Sequence, residues 1–182
     1  GSGTRGGSNA LRGAGVISGS GELNKHGAAP LSLGGANTFA GGLHLAAGTE
    51  ALVGSGSLAA TGAVNLSAAG TALDLTLGGN QTIGALSGVA GTNVVLGTHT
   101  LTFGDATNQT FAGVISGAGG LVKNGTGVQT LTGVNTFGGG LAINAGGLVL
   151  GNSGAIGTGA LSVDGAATLA GTSALSRANN VN

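Results

Sequence analysis

Cysteine, methionine, tryptophan and tyrosine are absent from these 182 residues, proline occurs once and phenylalanine four times. Without cysteine there is no disulfide and no thiolate nucleophile or ligand, an absence that suits a secreted chain that has to stay unlinked during export. Charge is nearly as scarce. Five Asp or Glu, five Lys or Arg and three His give a formal net charge of zero, and charged residues make up 5% of the chain, against roughly 25% in ordinary domains. A neutral chain has no basic stripe with which to displace counterions, which excludes electrostatic nucleic-acid binding. The same argument excludes a polybasic membrane-surface segment. No run approaches the roughly 18 uninterrupted apolar residues of a membrane helix. Residues 1–8 lack the apolar stretch of a signal peptide and read as a linker.

What is present is glycine, 43 residues of it. So much Gly is the usual mark of low complexity, but two features oppose disorder. Leu, Ile, Val and Phe together make up about a quarter of the chain, above the floor of roughly 20% below which too little surface is buried to fold. The mean hydropathy is +0.42, and an open chain this apolar and uncharged would aggregate. The composition therefore calls for a fold tolerant of Gly.

An internal repeat organises the chain. Val16-Ile17-Ser18-Gly19 recurs as Val114-Ile115-Ser116-Gly117, an offset of 98, and residues 16–48 match 114–146 without a gap at 18 of 33 positions. The matches include Leu23/Leu121, Lys25/Lys123, Leu33/Leu131 and Asn37-Thr38-Phe39/Asn135-Thr136-Phe137. Chance matching in a Gly-rich chain would yield Gly pairs, not these. Apolar residues come as period-2 couplets such as Leu31-Ser32-Leu33, Leu43-His44-Leu45, Leu101-Thr102-Phe103 and Leu141-Ala142-Ile143, the alternation of strands. Gly-Gly, Gly-Ser and Asn-Gly punctuation separates them, and no segment has a helical period with caps.

A sandwich core about 10 Å thick needs large inward residues and aromatic anchors that this chain does not have. A β-solenoid needs less, because each rung of roughly 20 residues stacks about 4.8 Å above the last around a narrow aliphatic interior, with Gly at the corners. The expected fold is all-β: a parallel β-helix of roughly eight rungs over residues 14–182, with residues 1–13 a flexible Gly-rich lead. Leu121, Leu131, Leu141, Ile143, Leu148 and Leu150 are expected to point inward. Asn37 and Asn135, beside Phe39 and Phe137, are candidates for corner Asn and stacked aromatics, with turn Asn and core Phe the plainer reading.

The residues Gly113-Val114-Ile115-Ser116-Gly117-Ala118-Gly119-Gly120-Leu121-Val122-Lys123, followed by Gly125-Thr126-Gly127, Leu131-Thr132-Gly133-Val134-Asn135-Thr136-Phe137 and Gly139-Gly140-Leu141, resemble the passenger-associated transport repeat of type V autotransporters. Two copies span about 15–48 and 113–151. The first departs from the pattern at Glu22, at Ala28-Ala29-Pro30 and at His44. The resemblance implies a right-handed parallel β-helix on the surface of a Gram-negative bacterium or secreted from it, a stalk or scaffold in adhesion or self-association that aids folding-driven export. With so few charged residues and no catalytic motif, the chain is not expected to be an enzyme. Membrane contact would come only through a translocator barrel, which this chain lacks, since no series of roughly 10-residue alternating strands with aromatic girdles appears. A host or neighbouring-cell surface is the implied partner.

The residues themselves assign no catalytic, cofactor-binding or metal site. Gly1-Ser2-Gly3-Thr4-Arg5-Gly6 matches a dinucleotide fingerprint but lacks its strand and helix. His26, His44 and His99 lack metal-ligand spacing, and His44 alternates outward between two Leu. Asp74 likewise points outward, while Asp105 and Asp164 sit in turns. A polysaccharide-active β-helix would need a positioned acid and base pair. Lys25 and Lys123 are expected on the exterior, discouraging sideways sheet pairing. Asn65, Asn80, Asn108 and Asn124 fit N-x-S/T, a pattern common by chance here and without meaning outside the eukaryotic machinery. Thr98-His99-Thr100-Leu101-Thr102 raises an ice-binding solenoid as a rival, with Thr130-Leu131-Thr132 as the sole second rank. Self-association through the solenoid ends is expected, because a terminal rung presents unpaired N–H and C=O groups. Leu169 and Leu175 lie on that last rung, and the closing Asn179-Asn180-Val181-Asn182 is a short cap.

Overall fold

In a computed structural model, which describes residues 3–5 and 11–171, every regular element is a strand of two to six residues and every pairing is parallel. Short strands follow from the couplets: two or three alternating residues between Gly corners are all the pairing surface each side of a narrow coil requires. The chain winds through three sides in repeating order. The first side carries nine strands, from Gly3–Arg5 through Leu23–Lys25, Leu43–Leu45, Val64–Leu66, Leu86–Gly88, Gln109–Phe111, Val128–Leu131 and Gly147–Leu150 to Thr168–Gly171, which makes eight turns. The second carries six, from Leu11–Gly13 to Val114–Ser116. The third begins with Ser18–Gly19 and Thr38–Phe39 and resumes as a five-stranded sheet from Gln81–Thr82 to Leu161–Val163.

The register is the solenoid's ruler. Leu23 pairs with Leu43, Leu43 with Val64, Leu86 with Val64, and on the third side Leu101, Leu121, Leu141 and Leu161 stand in one ladder. Strand pairing also reaches into the stretch expected to be a lead, since Gly3–Arg5 pairs with Leu23–Lys25 and Leu11–Gly13 with Leu31–Leu33. One irregularity lies between Asp74 and Leu77, where the register slips against Thr49–Val53 and leaves Leu77 72% exposed.

The core is the inside of the coil. Leu121, Leu131, Leu141, Ile143, Leu148 and Leu150 are all buried, as their alternation requires, within a column that includes Leu23, Leu43, Leu66, Leu73, Phe103 and Phe111. Each such Leu contributes about 1.5–3 kcal/mol by leaving water. Rings fit because neighbouring turns make room. Gly88 pairs with Phe111, and a methyl built on Gly88 would lie 2.7 Å from the Phe111 ring. At the corners the requirement is conformational: Gly146 has φ +69°, and its missing side chain lets the Gly125 and Gly127 carbonyls of the turn below approach.

Leu141→Asp would bury a carboxylate in the Leu121–Leu141–Leu161 ladder, at an expected cost of several kcal/mol. Thermal melts followed by far-ultraviolet circular dichroism should show a β-type spectrum for the parent and a clearly lowered midpoint for the variant. An unchanged midpoint would remove Leu141 from the core.

Candidate functional site: buried polar clamps between turns

The repeat's signature residues are polar groups turned inward. Asn37, 2% exposed, accepts a hydrogen bond at Oδ1 from Ile17 N (2.9 Å) and donates from Nδ2 to Gly35 O (2.8 Å) and Ser57 O (2.9 Å). One side chain thereby links three successive turns. Asn135 repeats the arrangement, accepting from Ile115 N at 2.8 Å and donating to Ala155 O. Their neighbours Phe39 and Phe137 are buried core residues but stack on no other ring: the ring pair among the described residues is His26 with His44, at 6.4 Å. The aromatic-ladder expectation fails because the turn above Phe137 presents Gly157, whose absent Cβ the ring would otherwise meet at 3.0 Å.

Lys25 and Lys123 overturn the exterior expectation. They are 3% and 2% exposed. Lys25 Nζ donates to Gly27 O and to Ala47 O (3.1 Å), and Lys123 Nζ donates to Asn124 O (2.6 Å), Gly125 O (2.9 Å) and Ala145 O (3.3 Å). Each ammonium ties the corner of its own turn to the corner of the next. Alternation carried this signal, because Lys25 and Lys123 stand two residues from inward Leu23 and Leu121. The expectation that a charge faces water outweighed it. Burial pulls both ammonium groups below the ordinary lysine range, with Glu50 acting against this at Lys25 and Asp105 at Lys123.

Further interior polar groups carried no motif and were missed, among them Gln81, Gln129 and Glu50. Gln81 receives Leu58 N at Oε1 (3.2 Å) and donates to Gly56 O (3.1 Å). Gln129 donates to Leu86 O (3.2 Å) two turns away. Glu50 is 0% exposed and neither of its carboxyl oxygens has a hydrogen-bond partner. Burial pushes its carboxyl up to about 9, with the Lys25 charge pulling the other way. The available signal was position: Glu50 alternates with Leu52 in Thr49–Val53 and pairs with Leu31 and Leu73.

The three Asp side chains and His44 are spent locally. Asp74 Oδ1 accepts from Thr76 N (2.8 Å) and Asp164 Oδ1 from Gly165 N (3.2 Å). Asp105 accepts from Thr107 N (2.7 Å) and Thr107 Oγ1 (2.6 Å), bonds that hold its carboxyl below the usual carboxylate range. His44 faces outward, half-buried, between Asn24 Oδ1 (3.0 Å) and Ser67 Oγ (2.7 Å). Among the described residues no three His, Cys, Asp or Glu come together as metal ligands. The Thr ranks do not align either. Thr102 pairs with Thr82 and Val122 on the third side, while Thr130 pairs with Thr110 and Val149 on the first, so the two Thr-x-Thr units lie on different faces.

Comparison with known proteins agrees with these clamps. The family model described as passenger-associated transport repeat matches residues 23–49 and 121–150, the two stretches that hold Lys25 with Asn37 and Lys123 with Asn135. The chain carries two copies of the transport repeat of autotransporter passengers. A curated relative, the adhesin BmaC autotransporter of Brucella suis biovar 1 (strain 1330), is 38% identical over 122 residues, which is 65% of this chain and 4% of the relative. The chain thus spans a small fraction of that protein's length. No solved structure matches it. Its place is the surface of a Gram-negative bacterium or the medium outside it.

Asn135→Ala leaves Ile115 N–H and the Ala155 carbonyl without their buried partner and should cost about 2 kcal/mol or more. Lys123→Met frees three carbonyls but also removes a buried charge, so its expected cost is smaller, about 1 kcal/mol. Urea unfolding of the two variants and the parent measures both. A Lys123→Met variant less stable than Asn135→Ala would reverse the order of importance of the clamps.

Proposed function

We propose that this solenoid is a stalk or scaffold within an adhesive or self-associating passenger, and that its two repeats favour folding-driven export. The observation that carries the reading is where the polar side chains go: Asn37, Asn135, Lys25 and Lys123 are consumed in joining adjacent turns. A side chain that links turns cannot also receive a ligand, whereas joined turns resist extension and let each folded turn template the next. The relative's description as an adhesin supports contact with other surfaces as the setting.

In a passenger carrying this segment, Asn135→Ala should lower the fraction displayed on intact cells, read as protease-accessible protein. Substitution of the outward Thr110 or Thr130 should leave display and adhesion unchanged. Equal display by Asn135→Ala and the parent would separate the clamps from export, and loss of adhesion on changing Thr110 alone would make the face a binding surface instead of a scaffold.

A second reading, a self-assembling extracellular fibre subunit, is pairing between copies through strands such as Thr168–Gly171, which among the described residues pairs with Gly147–Leu150 alone. Leu169 lies there, half-buried, while Leu175 is outside the described residues. Sedimentation velocity of the isolated chain over a wide concentration range, with and without Leu169→Lys, tests it. End-to-end stacking predicts oligomers that this charge disperses; a monomer at every concentration rejects the fibre reading and leaves the scaffold reading standing.

A further inference from the structure

The third turn carries an acid where the neighbouring turns carry an aliphatic. Along the second side the inward ladder runs Leu31, Glu50, Leu73, Val94, Ile115, each at most 2% exposed. In the second repeat copy the position equivalent to Glu50 is Leu148, also buried. Lys123 is held by three carbonyls there without any acid inside the coil, so the lysine clamp does not require one. Glu50 is therefore neither a filler nor part of the clamp. We infer that Glu50 is a proton-binding site that couples closure of this turn to proton uptake, so that acid tightens the solenoid and alkali loosens it.

The surroundings leave the carboxylate no other way to be accommodated. The strands paired on either side, Leu31–Leu33 and Ala72–Leu77, offer one ionisable group, Asp74, which occupies an outward position and is committed to Thr76 N. From the first side, His44 faces outward and His26 lies on an exposed corner. Lys25 is the charge that faces Glu50, and its ammonium is already held by the Gly27 and Ala47 carbonyls. An ionised carboxylate would sit unsolvated with no hydrogen bond, whereas the protonated form removes the charge that burial penalises.

The direction of the pH effect follows. In the unfolded chain this carboxyl titrates at 4.5 and in the folded chain at about 9. Between these values the native state holds a proton that the unfolded state has lost, so stability declines as pH rises through the window. Below 4.5 both states are protonated and the contribution is complete; above about 9 both are ionised and it is gone. One proton corresponds to a tenfold shift of the folding equilibrium per pH unit within the window.

Urea unfolding of the 182-residue chain from pH 5 to pH 8.5, set beside Glu50→Gln, isolates this group, because His and the other acids titrate in both proteins. The parent should lose stability relative to Glu50→Gln by up to tenfold in equilibrium constant per pH unit, so that the variant is the more stable protein at pH 8. Glu50→Leu, which restores the ladder, should also exceed the parent there. Lys25→Met should keep the slope, since it removes only the opposing charge. Parallel pH profiles for the parent and Glu50→Gln, or a parent more stable than Glu50→Gln at pH 8, would overturn the proposal; the latter would mean a carboxylate stabilised by Lys25.

Discussion

Everything in this molecule hangs on parallel backbone pairing between segments about one turn apart. A strand of three residues pairs with the turn below and the turn above, and such pairing is too brief to persist alone. Stacked eight turns deep, it satisfies the backbone of the inner turns and holds a column of Leu, Val and Phe away from water. The abundance of Gly, unfavourable in an isolated strand, becomes tolerable because corners need positive φ and because adjacent turns press backbone against backbone. Gly146 and Gly88 illustrate the two requirements.

The interior polar residues refine this arrangement. A coil of aliphatics alone would leave corner carbonyls and N–H groups facing a dry interior, where an unpaired group costs about 1–3 kcal/mol. Asn37 and Asn135 close these gaps with one side chain across three turns, and Lys25 and Lys123 close them at the next corner. The two copies do so on different sides of the coil. Leu23–Lys25 lies on the first side and Leu121–Lys123 on the third, because an offset of 98 residues is not a whole number of turns. The clamp therefore depends on the local corner and not on a particular face, which suits a repeat whose job is to join turns wherever it falls.

Much of this was legible from residue order. The couplets identified strands, the absence of aromatic anchors argued against a sandwich, and the 98-residue repeat located the segments that hold the clamps. Inward Leu121, Leu141 and Ile143 followed from alternation alone. Where the reading failed, it set charge against alternation and chose charge. Lys25 and Lys123 are inward by register and were expected outside, and Glu50 drew no notice because a single acid among aliphatics has no motif.

The sequence by itself determined the class of fold, the turn length, the core residues and the family, since these depend on period and composition, which are properties of order along the chain. Only the tertiary structure decided which side of the coil each repeat occupies, which corner carbonyls meet each lysine, and that Thr102 and Thr130 fall on separate faces. It also decided that Glu50 has no partner. These depend on small variations in turn length, between the 19 residues from Leu31 to Glu50 and the 24 from Val53 to Leu77, which accumulate along the stack. Contacts across turns are therefore set by summed register, and no local stretch of sequence contains that sum.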